Sequence, residues 1–353
     1  THAQKLLEDS LQMSVTIGAL QKAITCHKLL SGIHKSRGDY KSAFEHLEKE
    51  HEVHSRLSGE EASNRIKHLQ QKHATEQADK LARLEQQKNI ELKQAYDAIE
   101  EQNTSILDSI NYARRIQTAL LGSRSMVNAN IPENFILYKP KDIVSGDFWW
   151  CAEQNDEFWF AVADCTGHGV PGAFMSLLNI NLLNRALAEH KQKSPALILG
   201  EVRTQVIVSL NREGQEEARD GMDVVLCALN KNGRLRFACA NNALVHVRDG
   251  VLTVYGPDKF PVGLSPTEVS SPFTEFEITL SKGDTVYLTT DGYADQFGGT
   301  KGKKFKQKRL REWFAQHSSV AMNEQESILD TEFNKWRGNL EQVDDVLIMG
   351  FRF

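Results

Sequence analysis

The sequence predicts an α+β chain: an all-α N-terminal part, then a sandwich of antiparallel strands covered by helix pairs. Three observations predict it. Near residue 130 the composition shifts, because all eight prolines and all five tryptophans lie after it, while the chain before it is rich in Gln, Glu, Lys, His and Ala. Residues 60–121 carry apolar side chains at heptad spacing. Beyond residue 131, short strand-like runs alternate with Asn232-Gly233, Asp249-Gly250 and Lys282-Gly283-Asp284, which are strong hairpin turns. A chain of 353 residues has room for two or three domains.

Residues 1–57 read as helical hairpins. Leu6, Leu7, Ile17, Leu20, Ile24, Leu29 and Leu30 recur near helical spacing, Gly38-Asp39-Tyr40 breaks the pattern, and Lys41–Glu50 forms a further helix. The stretch Leu30–Leu47 resembles the core of a tetratricopeptide repeat, with Gly32 expected to let two helices approach and Ala43 and Phe44 expected at their contact. About one repeat and part of another are visible, too few for a stable solenoid, so further repeats are expected upstream. An ordinary helical hairpin is the alternative.

Residues 58–121 form a linker read as one long coiled-coil helix. Ala78, Leu92, Ile99, Ile106, Ala113 and Leu120 occupy a; Ala74, Leu81, Ala95 and Ile116 occupy d. Glu85, Lys88, Gln102 and Ser109 interrupt the seam, so the coil should be marginal. The expectation is a parallel homodimer in which a weak seam passes a signal, since two packings can lie within a few kcal/mol. A spacer or a solvated helix is the alternative.

Residues 122–353 supply the sandwich. Asp147–Cys151 and Glu157–Ala163 read as strands, Ala173–Leu187 and 196–210 as helices. Hairpin strands follow at Asp223–Leu229, Arg234–Ala240, Leu244–Val247 and Val251–Tyr255, then Glu275–Leu280 and Thr285–Thr290. Helices near 307–317 and 323–336 and a last strand from Val346 close the chain.

Charge and composition exclude several classes. The net charge is −5, so the whole molecule has no pull towards nucleic acid or anionic lipid. No apolar run approaches the ~20 residues needed to cross a bilayer, and Thr1-His2-Ala3-Gln4 has no secretory-signal character. Five cysteines, with no C-x-x-C pair, read as free thiols of a reducing, cytoplasmic compartment.

The sharpest local signal is Asp164-Cys165-Thr166-Gly167-His168-Gly169-Val170-Pro171-Gly172. Gly167-x-Gly169-x-x-Gly172 matches the dinucleotide fingerprint literally. That reading requires a parallel βαβ unit, and antiparallel hairpins follow here instead. Asp164 stands where a strand meets a turn. Asp147, Asp291 and the pair Asp344-Asp345 share that position. Singly such residues are caps or turn formers. Together they form an acidic set that is costly without cations and suits hard divalent ions.

These segments resemble a known family. Lys141–Trp150, Asp164–Gly169, Thr290-Asp291-Gly292 and Val343–Leu347 are similar, in order, to the PP2C-like metal-dependent serine/threonine phosphatases, and most to their bacterial SpoIIE-type branch. The resemblance spans roughly residues 107–353 and implies an α-β-β-α sandwich. It further implies two Mn²⁺ or Mg²⁺ ions and a water between them that attacks the phosphoryl group in line, without a phospho-enzyme. Carried over by motif, Asp164 would bridge both ions, the Cys165 carbonyl would bind one, Asp291 and Asp344 would hold the other, and Asp147 would bind directly or through water. Cys165 and Asn241-Asn242-Ala243 depart from the glycines common at those places.

His168 is a candidate general acid, with a locally hydrogen-bonded turn residue as the alternative. The run Lys301–Arg309 could steer a phosphoprotein or be a solvated loop. The resemblance implies a phosphorylated anti-sigma-factor-antagonist-like substrate, with an unknown partner at the repeats. A catalytically silent scaffold is the rival reading.

Overall fold

The computed structural model describes residues 2–189, 194–211, 219–265 and 271–353. The chain divides into two compact units, Thr1–Glu101 and Gln102–Phe353.

In the first unit, α1 (His2–Thr16) and α2 (Leu20–Ser36) pair, and α3 (Tyr40–Leu120) begins. Gly18 and Gly38 close the first two helices at φ of 68° and 84°, the left-handed conformation that a non-glycine residue enters at a cost. Asp39 then caps α3, its Oδ1 accepting the Ser42 N–H at 3.2 Å. Ala23, Ile24, Cys26, Leu30 and Ala43 are buried. Two expectations fail here. Open space surrounds Gly32, so it permits no close approach, and Phe44 is exposed.

α3 is one helix of 81 residues, where the sequence suggested a helix ending at Glu50 and another starting near 60. No proline lies between Tyr40 and Leu120. Gly59 alone costs only about 1 kcal/mol, which neighbouring helix formers outweigh. Leu57 is its last half-buried residue until Ile110.

The second unit holds two sheets. Helix α4 (Arg124–Asn130) leads into β1 (Glu133–Lys139), which has no counterpart among the sequence-predicted strands. β2 (Phe148–Gln154), β3 (Glu157–Cys165), α5 (Gly169–Glu189) and α6 (Pro195–Leu210) follow. Next come β4 (Gly221–Asn230), β5 (Arg234–Ala240), β6 (Leu244–Arg248), β7 (Val251–Tyr255), β8 (Val262–Gly263), β9 (Glu275–Thr279) and β10 (Thr285–Thr289). The chain ends with α7 (Gly292–Asp295), β11 (Phe297–Gly298), β12 (Lys303–Lys304), α8 (Gln307–His317), α9 (Met322–Arg337) and β13 (Val346–Arg352).

One sheet has the order β1-β13-β10-β6-β7; the other has β2-β3-β4-β5-β9, with β8 beside β4. The pairings between these strands are antiparallel, which removes the dinucleotide-fold reading. Strand β3 shows why four layers form. Trp159, Ala161 and Ala163 face the core beneath α5 and α6, while Phe158, Phe160 and Val162 face the core between the sheets. On β13, Leu347, Met349 and Phe351 point into that middle core, and Val346 and Ile348 pack under α8 and α9. The result is an α-β-β-α sandwich.

Candidate metal centre

Four segments far apart in sequence bring their acids to one rim. Asp147 precedes β2, Asp164 lies at the end of β3, Asp291 follows β10, and Asp344 precedes β13. The loops that carry them are locked together by close backbone approach. A Cβ at Gly172 would stand 2.2 Å from the Gly167 carbonyl oxygen and 2.9 Å from the Gly146 Cα, and one at Gly146 would stand 2.4 Å from the same oxygen. The glycines of the apparent dinucleotide fingerprint therefore pack the start of α5 against the Gly146 turn.

Asp345 pins that turn from another side. Its Oδ1 accepts the Lys141 N–H at 2.7 Å and its Oδ2 the Gly146 N–H at 2.8 Å. Gln117, near the end of α3, is buried against it as well. Its side chain donates to the Ser145 carbonyl (2.6 Å) and to Ser176 Oγ (2.9 Å), and accepts from the Ser145 N–H (3.2 Å).

The electrostatics are those of crowded acids. Asp147 is 1% exposed and accepts from Thr290 Oγ1 at 2.7 Å. Burial first, then the Asp164 charge, pushes its carboxyl well above the usual range. Asp164 is pushed up to about 8 by burial and then by Asp291, Asp344 and Asp223. Partial burial and then the Asp344 charge raise Asp291 to about 6. Among the described residues, none of Asp147, Asp164, Asp223, Asp291 and Asp344 has an ion-pair partner. Asp164, Cys165, His168, Asp223 and Asp344 line a cavity of about 180 Å³.

The sequence profile of the Stage II sporulation protein E family matches residues 154–353. The SiaA PP2C domain of Pseudomonas aeruginosa is 33% identical, with a TM-score of 0.63 over 71% of this chain and 98% of that one. This chain belongs to the SpoIIE family. It is a PP2C-type serine/threonine protein phosphatase. The phosphatase domain with a regulatory fragment of SpoIIE from Bacillus subtilis also matches, at 17% identity and a TM-score of 0.49, over 63% of each chain. The RsbU and RsbW domains of a Mycobacterium tuberculosis protein match at 18% identity and 0.48, over 63% of this chain and 60% of that one. No curated protein matches.

The donor set of this SpoIIE-family domain suits hard divalent ions: all ligand candidates are oxygens, and their charges are uncompensated. Among the described residues, no three His, Cys, Asp or Glu side chains converge on one point at ligand distance. Asp164, Asp223 and Asp344 border the cavity, whereas Asp147 and Asp291 do not line it and are joined to Asp164 through their mutual electrostatic influence.

The Cys165 thiol is 2% exposed, accepts from Asn179 Nδ2 at 3.4 Å and is pushed upward by burial, which leaves it no nucleophilic role. His168 is half exposed on the cavity wall. Its Nδ1 lies 2.8 Å from Asp142 Oδ2, and Lys141 Nζ donates to its Nε2 at 3.0 Å, so the tautomer with Nδ1–H satisfies both contacts.

Asp223 is a rim residue that sequence reasoning missed. It pairs directly opposite Asp164 across β3 and β4, and Asn241 Nδ2 donates to it at 2.8 Å from a left-handed turn at φ 55°. Its only signal was an acid opening an otherwise apolar strand. Asn241, in place of the expected glycine, makes that contact itself.

Proposed function

We propose that this phosphatase hydrolyses phosphoserine or phosphothreonine of a small bacterial signalling protein, of the anti-sigma-factor-antagonist kind, in the cytoplasm. One observation carries the reading: four acids from separate segments act on one another electrostatically, and among the described residues none of them has an ion-pair partner. Asp164 and Cys165 would serve one cation and Asp164, Asp291 and Asp344 a second, with Asp147 direct or through water. A neighbouring fold, RsbX, is known in complex with magnesium. Mn²⁺ or Mg²⁺ held by these residues would supply an acidified water for the attack and charge neutralisation for the phosphoryl oxygens. The chain's own residues do the rest. Thr290 orients the Asp147 carboxyl, and Asp345 fixes the loop that carries it. His168 is the proposed proton donor to a leaving serine or threonine oxygen, a role that requires Lys141 to release Nε2 and a proton to sit there while Asp142 keeps Nδ1.

Regulation would act through α3. Leu81, Leu92, Ile99 and Ile106 are each more than half exposed in the single chain, as a seam awaiting a second copy requires. Gln117 joins the same helix to Ser145, two residues from Asp147. A change of seam packing, driven by a partner at the N-terminal tetratricopeptide-like helices, would thus move the Asp147 loop.

The test is turnover of a phosphoserine protein by the full chain against manganese concentration. Manganese-dependent release of phosphate is expected, and its absence sinks the reading. Ile99→Asp with Ile106→Asp should convert a dimer to monomers in light scattering. A monomeric parent would remove the coiled-coil part.

A further inference from the structure

A second cavity, of about 700 Å³, lies beside the acidic rim and has the opposite charge. Its walls include Trp336 and the half-exposed Leu340, with Arg309, Lys335 and Arg337 against a single acid, Glu332. Arg309 lies between two rings, its guanidinium 4.3 Å from the Phe305 centroid and 4.6 Å from that of Trp336, so it is fixed in place. Among the described residues, Arg337 Nε is buried without a hydrogen-bond partner. Among the described residues, Lys335 and Arg337 form no ion pair. Lys301 and Lys303, on the adjoining β11–β12 hairpin, form none either. A concentration of unpaired cations around an apolar floor gives the cavity a positive potential that attracts anions.

The cavity is tied to the rim by one buried side chain. Gln296 is fully buried. Its carbonyl accepts from Trp336 Nε1 (3.0 Å) and from the Phe305 N–H (3.0 Å). Its amide donates to the Glu341 carbonyl (3.0 Å) and accepts from the Val343 N–H (3.1 Å), one residue before Asp344. Its own N–H bonds the Gly292 carbonyl beside Asp291. The hairpin is seated just as firmly, since a Cβ at Gly298 would stand 1.9 Å from the Trp336 carbonyl oxygen. Cavity and rim therefore belong to one rigid corner.

We propose that this cavity docks an acidic segment of the phosphoprotein substrate, with Lys335 and Arg337 reading carboxylates while Trp336 and Leu340 take an apolar side chain. The proposal rests on the phosphatase reading of the rim. The rim is committed to the cations and the phosphoryl group, so a basic subsite displaced from it gives an acidic phosphoprotein a place to dock and sets which one is chosen.

Two synthetic phosphoserine peptides test it, alike except that one carries four Glu and the other four Gln beside the phosphoserine. With the full chain and manganese, the Glu peptide should show kcat/KM roughly tenfold higher at low salt, mostly through KM. That advantage should shrink in about 1 M salt, where the Debye length falls to about 3 Å. Lys335→Glu with Arg337→Glu should abolish the advantage while turnover of the Gln peptide and of para-nitrophenyl phosphate stays unchanged. Lys335→Gln, an exposed conservative change, should reduce it partway and guards against misfolding of the double variant. Equal kcat/KM for the two peptides, or an advantage that survives both variants, overturns the docking site alone. No turnover of para-nitrophenyl phosphate by the parent overturns the phosphatase reading and the docking site with it.

Discussion

The corner between β6 and β10 and the acidic rim both bury an aspartate, and the two aspartates behave oppositely. Asp284 is 3% exposed and Asp147 is 1% exposed. Burial alone raises either one. At Asp284 the effect is outweighed: the Arg248 guanidinium donates through Nε at 3.0 and 3.1 Å, the Ser281 N–H donates at 2.8 Å, and His246 Nε2 lies 3.1 Å away. Its carboxyl is held below the usual range. Asp147 has Thr290 as a donor but faces Asp164, Asp345 and Asp344, and is raised. A buried acid with its cation built into the chain is a structural staple. One whose neighbours are acids needs a cation from solution.

The largest expected effect breaks the rim. Asp164→Asn or Asp291→Asn should lower turnover on the order of a thousandfold, about 4 kcal/mol of barrier, with the fold kept by circular dichroism. Unchanged manganese-dependent turnover would sever the rim from the chemistry. Next, manganese should raise the melting temperature of the parent, and chelator should reverse it. At a hundredfold excess over Kd the stabilisation is about 2.7 kcal/mol. Asp164→Asn should lose most of this shift, whereas Asp284→Asn should keep it.

Asp284→Asn should instead destabilise the chain by about 2 kcal/mol in denaturant unfolding, discounted because Arg248 is 44% exposed. Its pH dependence has a definite sign. Because the folded carboxyl titrates below the usual 3.8, its stabilisation is present above that pH and is lost as pH falls through the depressed folded value. The variant should lose stability less steeply than the parent below about pH 4. A parallel acid limb in the two proteins would mean that Asp284 is not the staple. The smallest effect concerns Asp223. Asp223→Asn should raise the manganese concentration for half-maximal turnover by about tenfold.

Much of the rim was legible because three of its four acidic sites lie at strand ends marked by their neighbours: Gly146 before Asp147, Gly292 after Asp291, Asp345 after Asp344. Asp223 was not, because an acid within an apolar run reads as a strand start. Asp345 was legible only as half of a pair. Its part, fixing the Gly146 turn across 199 positions of chain, depends on a contact that no local pattern encodes.

The sequence by itself determined the layers, the helical N-terminal part and the order of the acidic motifs. Alternation along β3 and the turn dipeptides are local properties, and local backbone preference carries them. The unbroken α3 was half determined: its heptads were visible, but a lone Gly59 could equally have ended it. Only the tertiary structure decided which acids meet, which lack a counter-charge, that the fingerprint glycines serve close packing, and that a basic cavity is pinned beside an acidic rim. Those properties depend on distances between segments brought together by burial of the two sheets, and charge and packing act through space.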